Sequence, residues 1–442
     1  MAAEITPIRT AAETGLAEAF ATLRGKLAAG PVTARREAAF RRFEAQGLPH
    51  HRVEEWKYTD LRALMRDAKP LAGAPDAAAK VRVAGQTRMF AAVAPRRIVF
   101  VDGAFAPELS DFAGLEPGLK IRSLADALGR GDAIVSRLGN GGPAEGDVAY
   151  ALNTALMRDG AIIEVAPGTR IVRPLHLVFA YGSSRAAAVF SRSLVIVGAD
   201  AGLTLIESHE GPHGVDYQVH AALDLAVGEG ARLDKIKVFA EGSDALHVST
   251  LSATIAAKAD FTDLTFALGG TIVRNQLFVR CAGAGSRLGI NGASLLRGKQ
   301  HVDTSLLLDH AAGHCLSREL FKSVLDEASR GVFQGKIIVR PGALKTDARM
   351  MTRALLLSED AEADNKPELE IFADHVQCGH GATSGALDDN LKFYLKARGI
   401  PEKEAEALLI QSFVGEAVET VAHEGIRDAL MATTQQWLET RP

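Results

Sequence analysis

Apolar and polar positions along the 442-residue chain follow two different periods, one helical and one extended. The first part is helical: Leu16, Phe20, Leu23 and Leu27 fall on one face, and Gly30-Pro31 stops the pattern. A second helix is predicted over 35–46, with Thr33 as its cap, Phe40 and Phe43 as its apolar stripe, and Gly47 and Pro49 closing it. A short segment at 53–61 carries Trp56 and Tyr58, which are expected to anchor the helical region onto the rest of the protein. Residues 68–79, with Pro70, Gly73 and Pro75, read as a linker.

From about Arg97 the period shortens. Apolar runs at 98–101, 162–165, 175–179, 194–197, 203–206, 219–227, 233–239 and 261–268 recur between glycine-bearing turns, and runs at 277–279, 306–308 and 337–339 continue them, which predicts strands. The turns repeat as well: Ala201, Ala231, Ala259 and Gly285 form one register with steps of 30, 28 and 26 residues, each followed by a strand. A small residue at a corner with a strand after it suits a β-solenoid, in which each coil buries its inward side chains on its neighbours. A β-sandwich is the competing arrangement. The aromatic share of 6% favours the solenoid, whose bore takes small and aliphatic side chains.

The last seventy or so residues return to helix. Asp388 is placed to cap a helix bearing Leu391, Tyr394 and Leu395 on one face, and Gly399 ends it. Pro401 opens the next, with Glu402 and Glu404 in its positive first turn and Ala405, Leu408, Leu409 and Phe413 as its apolar face. Gly425 separates a final segment ending near Trp437. The organisation expected is a helical N-terminal region with linker over 1–95, a mainly β solenoid core over 96–372, and a helical C-terminal region over 373–442.

Charge and cysteine usage narrow the function classes. Lys+Arg 50 against Asp+Glu 54 leaves a net charge of -4, so no basic surplus recommends nucleic acid or an anionic membrane as partner. Cys281, Cys315 and Cys378 lie far apart, without a Cys-x-x-Cys pair, which argues for a reducing compartment and against a four-cysteine site within one chain. The start carries Glu4 and Pro7 with no apolar leader, and no stretch reaches the roughly 18 apolar residues of a membrane span, so a cytoplasmic protein is expected. A phosphate loop, a serine-nucleophile elbow and a His-Glu-x-x-His zinc motif are all missing from the sequence, so ATP use has to come from another chain.

The densest chemistry lies at 367–383, where Glu368, Glu370, Asp374, His375, Cys378 and His380 crowd the junction between strands and terminal helices. Thiolate and imidazole are donors for iron or zinc, and Gly379 and Gly381 allow close backbone approach. A buried thiol beside a hydrogen-bonded histidine is the plainer alternative.

Several motifs in order, His301-Val302-Asp303-Thr304, Asp309-His310, Ser317-Arg318-Glu319-Leu320-Phe321-Lys322, Val332-Phe333-Gln334-Gly335-Lys336-Ile337, the stretch 366–371, Cys378-Gly379-His380-Gly381-Ala382-Thr383 and 393–400, resemble the SufB/SufD family over roughly residues 200–425. The Glu55-Trp56-Lys57-Tyr58-Thr59 neighbourhood is similar to its SufD branch. The resemblance implies a right-handed parallel β-helix core between helical ends. It also implies a scaffold role in iron-sulfur cluster assembly, without catalysis by this chain, in a complex with a SufB-like subunit. A SufC-like ATPase is expected on the C-terminal helices. Iron or a cluster would be held transiently and shared with the SufB-like partner, with His380 as the ligand on this chain and Cys378 beside it; no nucleotide is expected to bind here. The family pattern has two aspartates before the valine and serine between cysteine and histidine, where this chain has His375 and Gly379.

The remaining polar residues are expected to be structural. Cys281 and Cys315 read as packing or turn residues; His301, His310 and His314 read as surface or hydrogen-bonded; and Glu207, Ser208, His209, Glu210 and His213 read as a turn around Gly211-Pro212. The stretches 317–322 and 336–345 read as packing or partner contacts. Two other functions stay in view: a hydrolase or transferase with Cys378 as nucleophile activated by His380 or His375, and a purely structural solenoid homodimer.

Overall fold

The computed structural model describes residues 9–86, 89–139 and 142–441; Glu4 and Pro7, on which the reading of the leader rests, lie outside these. The helix Ala11–Arg24 opens on a capping box in which Thr10 and Glu13 satisfy each other's backbone N–H groups. It packs on Pro31–Gln46 through stacked Phe20 and Phe40 rings, 4.1 Å between centroids. That second helix starts earlier than the sequence suggests. Pro31 fixes the first helical φ, Gly30 takes the cap position, and the Thr33 hydroxyl donates instead to the Ala28 carbonyl at 2.7 Å. The expected linker is partly helical too, because Asp76 accepts from the Ala79 N–H and starts Ala77–Ala84 in an alanine-rich stretch.

From Arg96–Val101 to Gln377–Gly385, strands are dealt alternately into two sheets of ten and nine strands. Each stacks on the strand one coil earlier, parallel and in register through most of the core, so the chain winds into a parallel β-helix of about eight coils. Period-2 alternation sends every second side chain inward. Leu177, Leu205, Leu233, Phe261, Leu251, Leu277 and Leu306 meet there in one continuous core. The outer face of the larger sheet is covered by Glu402–Val418 and Glu424–Glu439, whose Ile410, Val414, Leu430 and Trp437 pack on Ile206, Ile236, Leu264 and Leu295. Gly425 falls inside the last of these helices rather than before it. Among the described residues no helix is long and apolar enough to cross a membrane.

One corner of each coil is set by a left-handed residue. Asp200, Gly230, Lys258, Gly285, His314, Lys345 and His375 all have φ between 54° and 73°, and each precedes the residue that leads into a strand. Ala201, Ala231 and Ala259 hold the position after it, as the sequence register has them. The fourth member is Ser286, not Gly285: the in-register partners Asp260 and Arg287 fix the corner one residue later. Cys315, Thr346 and Val376 continue the series. His375 is therefore a turn residue, and an Asp is among the few non-glycine residues that take the same conformation readily.

The two ends of the solenoid differ. At the start, the short antiparallel strand Ala104–Phe105 ends one sheet and Leu119–Ser123 ends the other. Phe100 stacks on Phe179 there, and Phe105 packs tilted against Phe100 and edge-on to Phe112, forming an aromatic cluster against the end of the core. At the far end, Glu362–Ile371 and Gln377–Gly385 are the outermost strands of the two sheets, each paired on one side only among the described residues. The expected core boundary at 372 thus falls short. Residues 377–385 extend the ladder, pairing with Asp347–Leu356, so the Cys-Gly-His motif belongs to the last coil and the helical region begins after it.

Candidate functional site

Cys378 and His380 lie two apart on this last strand and share its inward face. Cys378 pairs with Ala348 and is half-buried against the core; burial pushes its thiol pKa up. His380 pairs with Met350, is exposed, and makes no hydrogen bond or ion pair among the described residues. A Cβ at Gly379 would meet open space, and its φ is not left-handed, so the serine of the family pattern would fit without displacing anything. Ile371 and Phe372, 45% and 58% exposed, flank the same end. The motif is thus a thiol and an imidazole on the inward side of the outermost strand, at the open end of the ladder.

Behind His380, in the same ladder row, stand Met350 and then Glu319. Glu319 is buried, neither carboxyl oxygen meets hydrogen-bond geometry among the described residues, and burial, only partly offset by nearby Ser317 and Arg318, raises its pKa to about 8. The sequence reading assigned this residue to packing or partner contacts; its place two residues from inward Ser317 and Phe321 was the available signal.

Two interior clusters also escaped the sequence reading. Glu207, Ser208 and His209 are not in a turn but inside the strand Gly202–Glu210, and only 211–214 turn. Glu207 lies 3.2 Å from Lys237 Nζ and 2.8 Å from His209 Nε2; burial would raise its pKa, yet Lys237, His209 and Lys235 hold it well below the usual carboxylate range. Lys235 also pairs with Asp263 at 2.9 Å, and Glu241 contacts His247 beside His209. These groups balance one another, and two ammonium groups make the cluster a poor host for another cation. The second cluster joins Cys281, His310 and Cys315, all buried, with one donor atom from each within 4.8 Å of the others. Proximity of the two thiols is the largest influence on both, lowering the Cys315 pKa to about 4 and raising that of Cys281, while Cys315 Sγ itself contacts Ser286 Oγ at 3.2 Å and the Ala312 carbonyl at 3.3 Å.

Trp56 is buried, with the Arg274 guanidinium 4.6 Å above its ring. Thr59 rather than Tyr58 completes the anchor, donating to Asp303 at 2.6 Å and contacting His301 Nε2 at 2.9 Å, while Asp303 pairs with Arg274 at 2.6 Å. His301 is thus hydrogen-bonded as expected. His314 is an exposed corner residue, and His310 is buried.

A two-sheet parallel solenoid with outer helices and a thiol and an imidazole on its last coil defines the class, a parallel β-helix protein. Residues 179–413 match the family model described as SUF system FeS cluster assembly, SufBD core domain, and residues 16–177 match the SufBD protein N-terminal region. The chain belongs to the SufBD family of iron-sulfur cluster assembly proteins. It is 31% identical to the iron-sulfur cluster assembly protein SufD of Escherichia coli over 89% of this chain and 90% of that one. A SufBD family protein of Synechocystis is 30% identical over 85% and 84%, and Bacillus subtilis SufD is 26% identical over 65% and 66%.

Proposed function

We propose that this chain is the SufD-like, non-catalytic subunit of a three-component assembly complex, with a SufB-like subunit seated on its open coil and a SufC-like ATPase on its C-terminal helices. The observation that carries this reading is the pairing of Cys378 and His380 on the uncovered last coil. Two donors are half of a tetrahedral coordination sphere, so any iron held here needs ligands from another chain. His380 would supply neutral imidazole and Cys378 an auxiliary thiol, with the nascent cluster as cargo between subunits. The ATPase site rests on Leu391, Phe393 and Tyr394, which are 51%, 73% and 52% exposed on the helix Asp389–Ala397.

A cysteine-nucleophile enzyme fits less well, because nucleophilic thiols have lowered pKa values and that of Cys378 is raised. The homodimer reading draws on the same free strand edges and is separated by composition: size exclusion of the chain with and without a cysteine-richer SufB-like partner distinguishes self-pairing from heteropairing. Anaerobic co-expression of the three subunits with His380→Ala tests the ligand. Reduced iron content and cluster absorbance in an intact complex are expected; wild-type values would reject His380 as ligand.

A further inference from the structure

We propose that Cys281, His310 and Cys315 form a second metal site, inside the solenoid, that takes a thiophilic divalent cation such as zinc or ferrous iron and is independent of any cargo held at His380. The winding of the chain builds it. Cys281 and His310 end consecutive strands of one sheet and are direct ladder partners, 29 residues apart, one coil in length. Cys315 holds the next corner, immediately before the strand Leu316–Leu325. One donor atom from each lies within 4.8 Å of the other two, so small side-chain movements bring all three to the bond lengths of a single ion, about 2.0–2.3 Å.

The surroundings suit a metal better than an ordinary core. The Ser317 hydroxyl contacts His310 Nε2 at 3.1 Å, while Nδ1 is buried without a hydrogen-bond partner. A second-shell partner on one ring nitrogen and a free lone pair on the other is how metal-bound imidazole is oriented. The Ser286 hydroxyl donates to Cys315 Sγ at 3.2 Å, as such donors do to coordinated thiolate, while the Ala312, Gly283 and Gly313 carbonyls at 3.3–3.6 Å accept from the protonated thiol and are the contacts that a bound ion replaces. Two thiolates neutralise a divalent ion, so the loaded site carries no net charge into the core. The surface turns 282–285 and 311–314 flank the site and offer the way in. Binding forms two metal–sulfur bonds and one metal–nitrogen bond to His310, displaces water from the ion, and releases to solvent whatever thiol protons the two cysteines still carry. Three protein ligands leave one coordination position for water.

Anaerobic titration of the reduced chain with cobalt(II) alone tests the site. A Cys378→Ser/His380→Ala background removes the open-end donors, and zinc competition follows. Tetrahedral cobalt d–d absorption with thiolate-to-cobalt charge transfer at one ion per chain is expected, bleached by zinc. The band should vanish in Cys281→Ala and in Cys315→Ser, and His310→Gln should weaken cobalt binding at least about tenfold. Circular dichroism verifies that each variant folds, and the two cysteine variants are independent checks should one fail. No thiolate band in the folded, reduced background protein, a band surviving loss of either cysteine, or a Cys281–Cys315 disulfide in protein purified anaerobically would overturn the assignment.

Discussion

The solenoid repeats the same coil from end to end and finishes its two ends in opposite ways. At the N-terminal end the sheets turn antiparallel and a cluster of phenylalanines closes the bore. At the C-terminal end the last strands stay parallel, their outer edges unpaired, and place His380 and half-buried Cys378 where the next coil would stack. The chain therefore contains the means to close a bore and uses them at one end only. Solenoids need polar or covered caps to stay soluble alone, and a free edge invites a further strand. In the proposed function the open end is half of an interface with a second subunit.

This contrast is exposed by parallel truncations. Phe100→Ala at the closed end, where the side chain is 1% exposed, should destabilise the isolated chain by about 3–5 kcal/mol in denaturant unfolding. A loss under about 1 kcal/mol would mean that the aromatic cluster is not a cap. Deeper in the bore, Glu319 sets a pH dependence. Its folded pKa of about 8 against an ordinary 4.5 means that the native state keeps a proton the unfolded chain has lost. Its contribution to stability then falls as pH rises from about 4.5 to about 8, by at most about 1.4 kcal/mol per unit. Glu319→Gln should flatten that slope in unfolding curves across the window; an unchanged slope would show that the carboxyl ionises freely. Smallest of all, Phe372→Ser at the open end should shift the stability of the isolated chain by no more than about 0.5 kcal/mol. The same change should weaken co-purification with a SufB-like subunit. Equal effects of Phe100→Ala and Phe372→Ser on the lone chain would erase the distinction between the ends.

Much of this was legible in the sequence because a solenoid writes its coil length into the chain. Ala201, Ala231 and Ala259 mark real corners, whereas Cys378 and His380 read as part of a loop and lie on a strand. The register slipped at Gly285 because coil length varies and the left-handed φ, not residue size, defines the corner. The boundary at 372 was misplaced because Gln377–Gly385 is rich in glycine and small polar residues, which read as a loop until the ladder beside it supplies hydrogen bonds. Thr59 and Glu319 were hidden for a related reason: their roles depend on partners hundreds of residues away or one coil over. Nothing about Cys281, His310 or Cys315 taken singly distinguishes them from packing and turn residues. The 29-residue step from Cys281 to His310 is one coil and was the signal available.

Electron–nuclear double resonance on the reduced cluster of the anaerobically purified three-subunit complex, with ¹⁵N-histidine incorporated in this chain alone, tests the role of the open end most directly. A strongly coupled nitrogen that disappears in His380→Ala is the predicted result. A cluster with no coupling to ¹⁵N from this chain, or a coupling that survives His380→Ala, would contradict it.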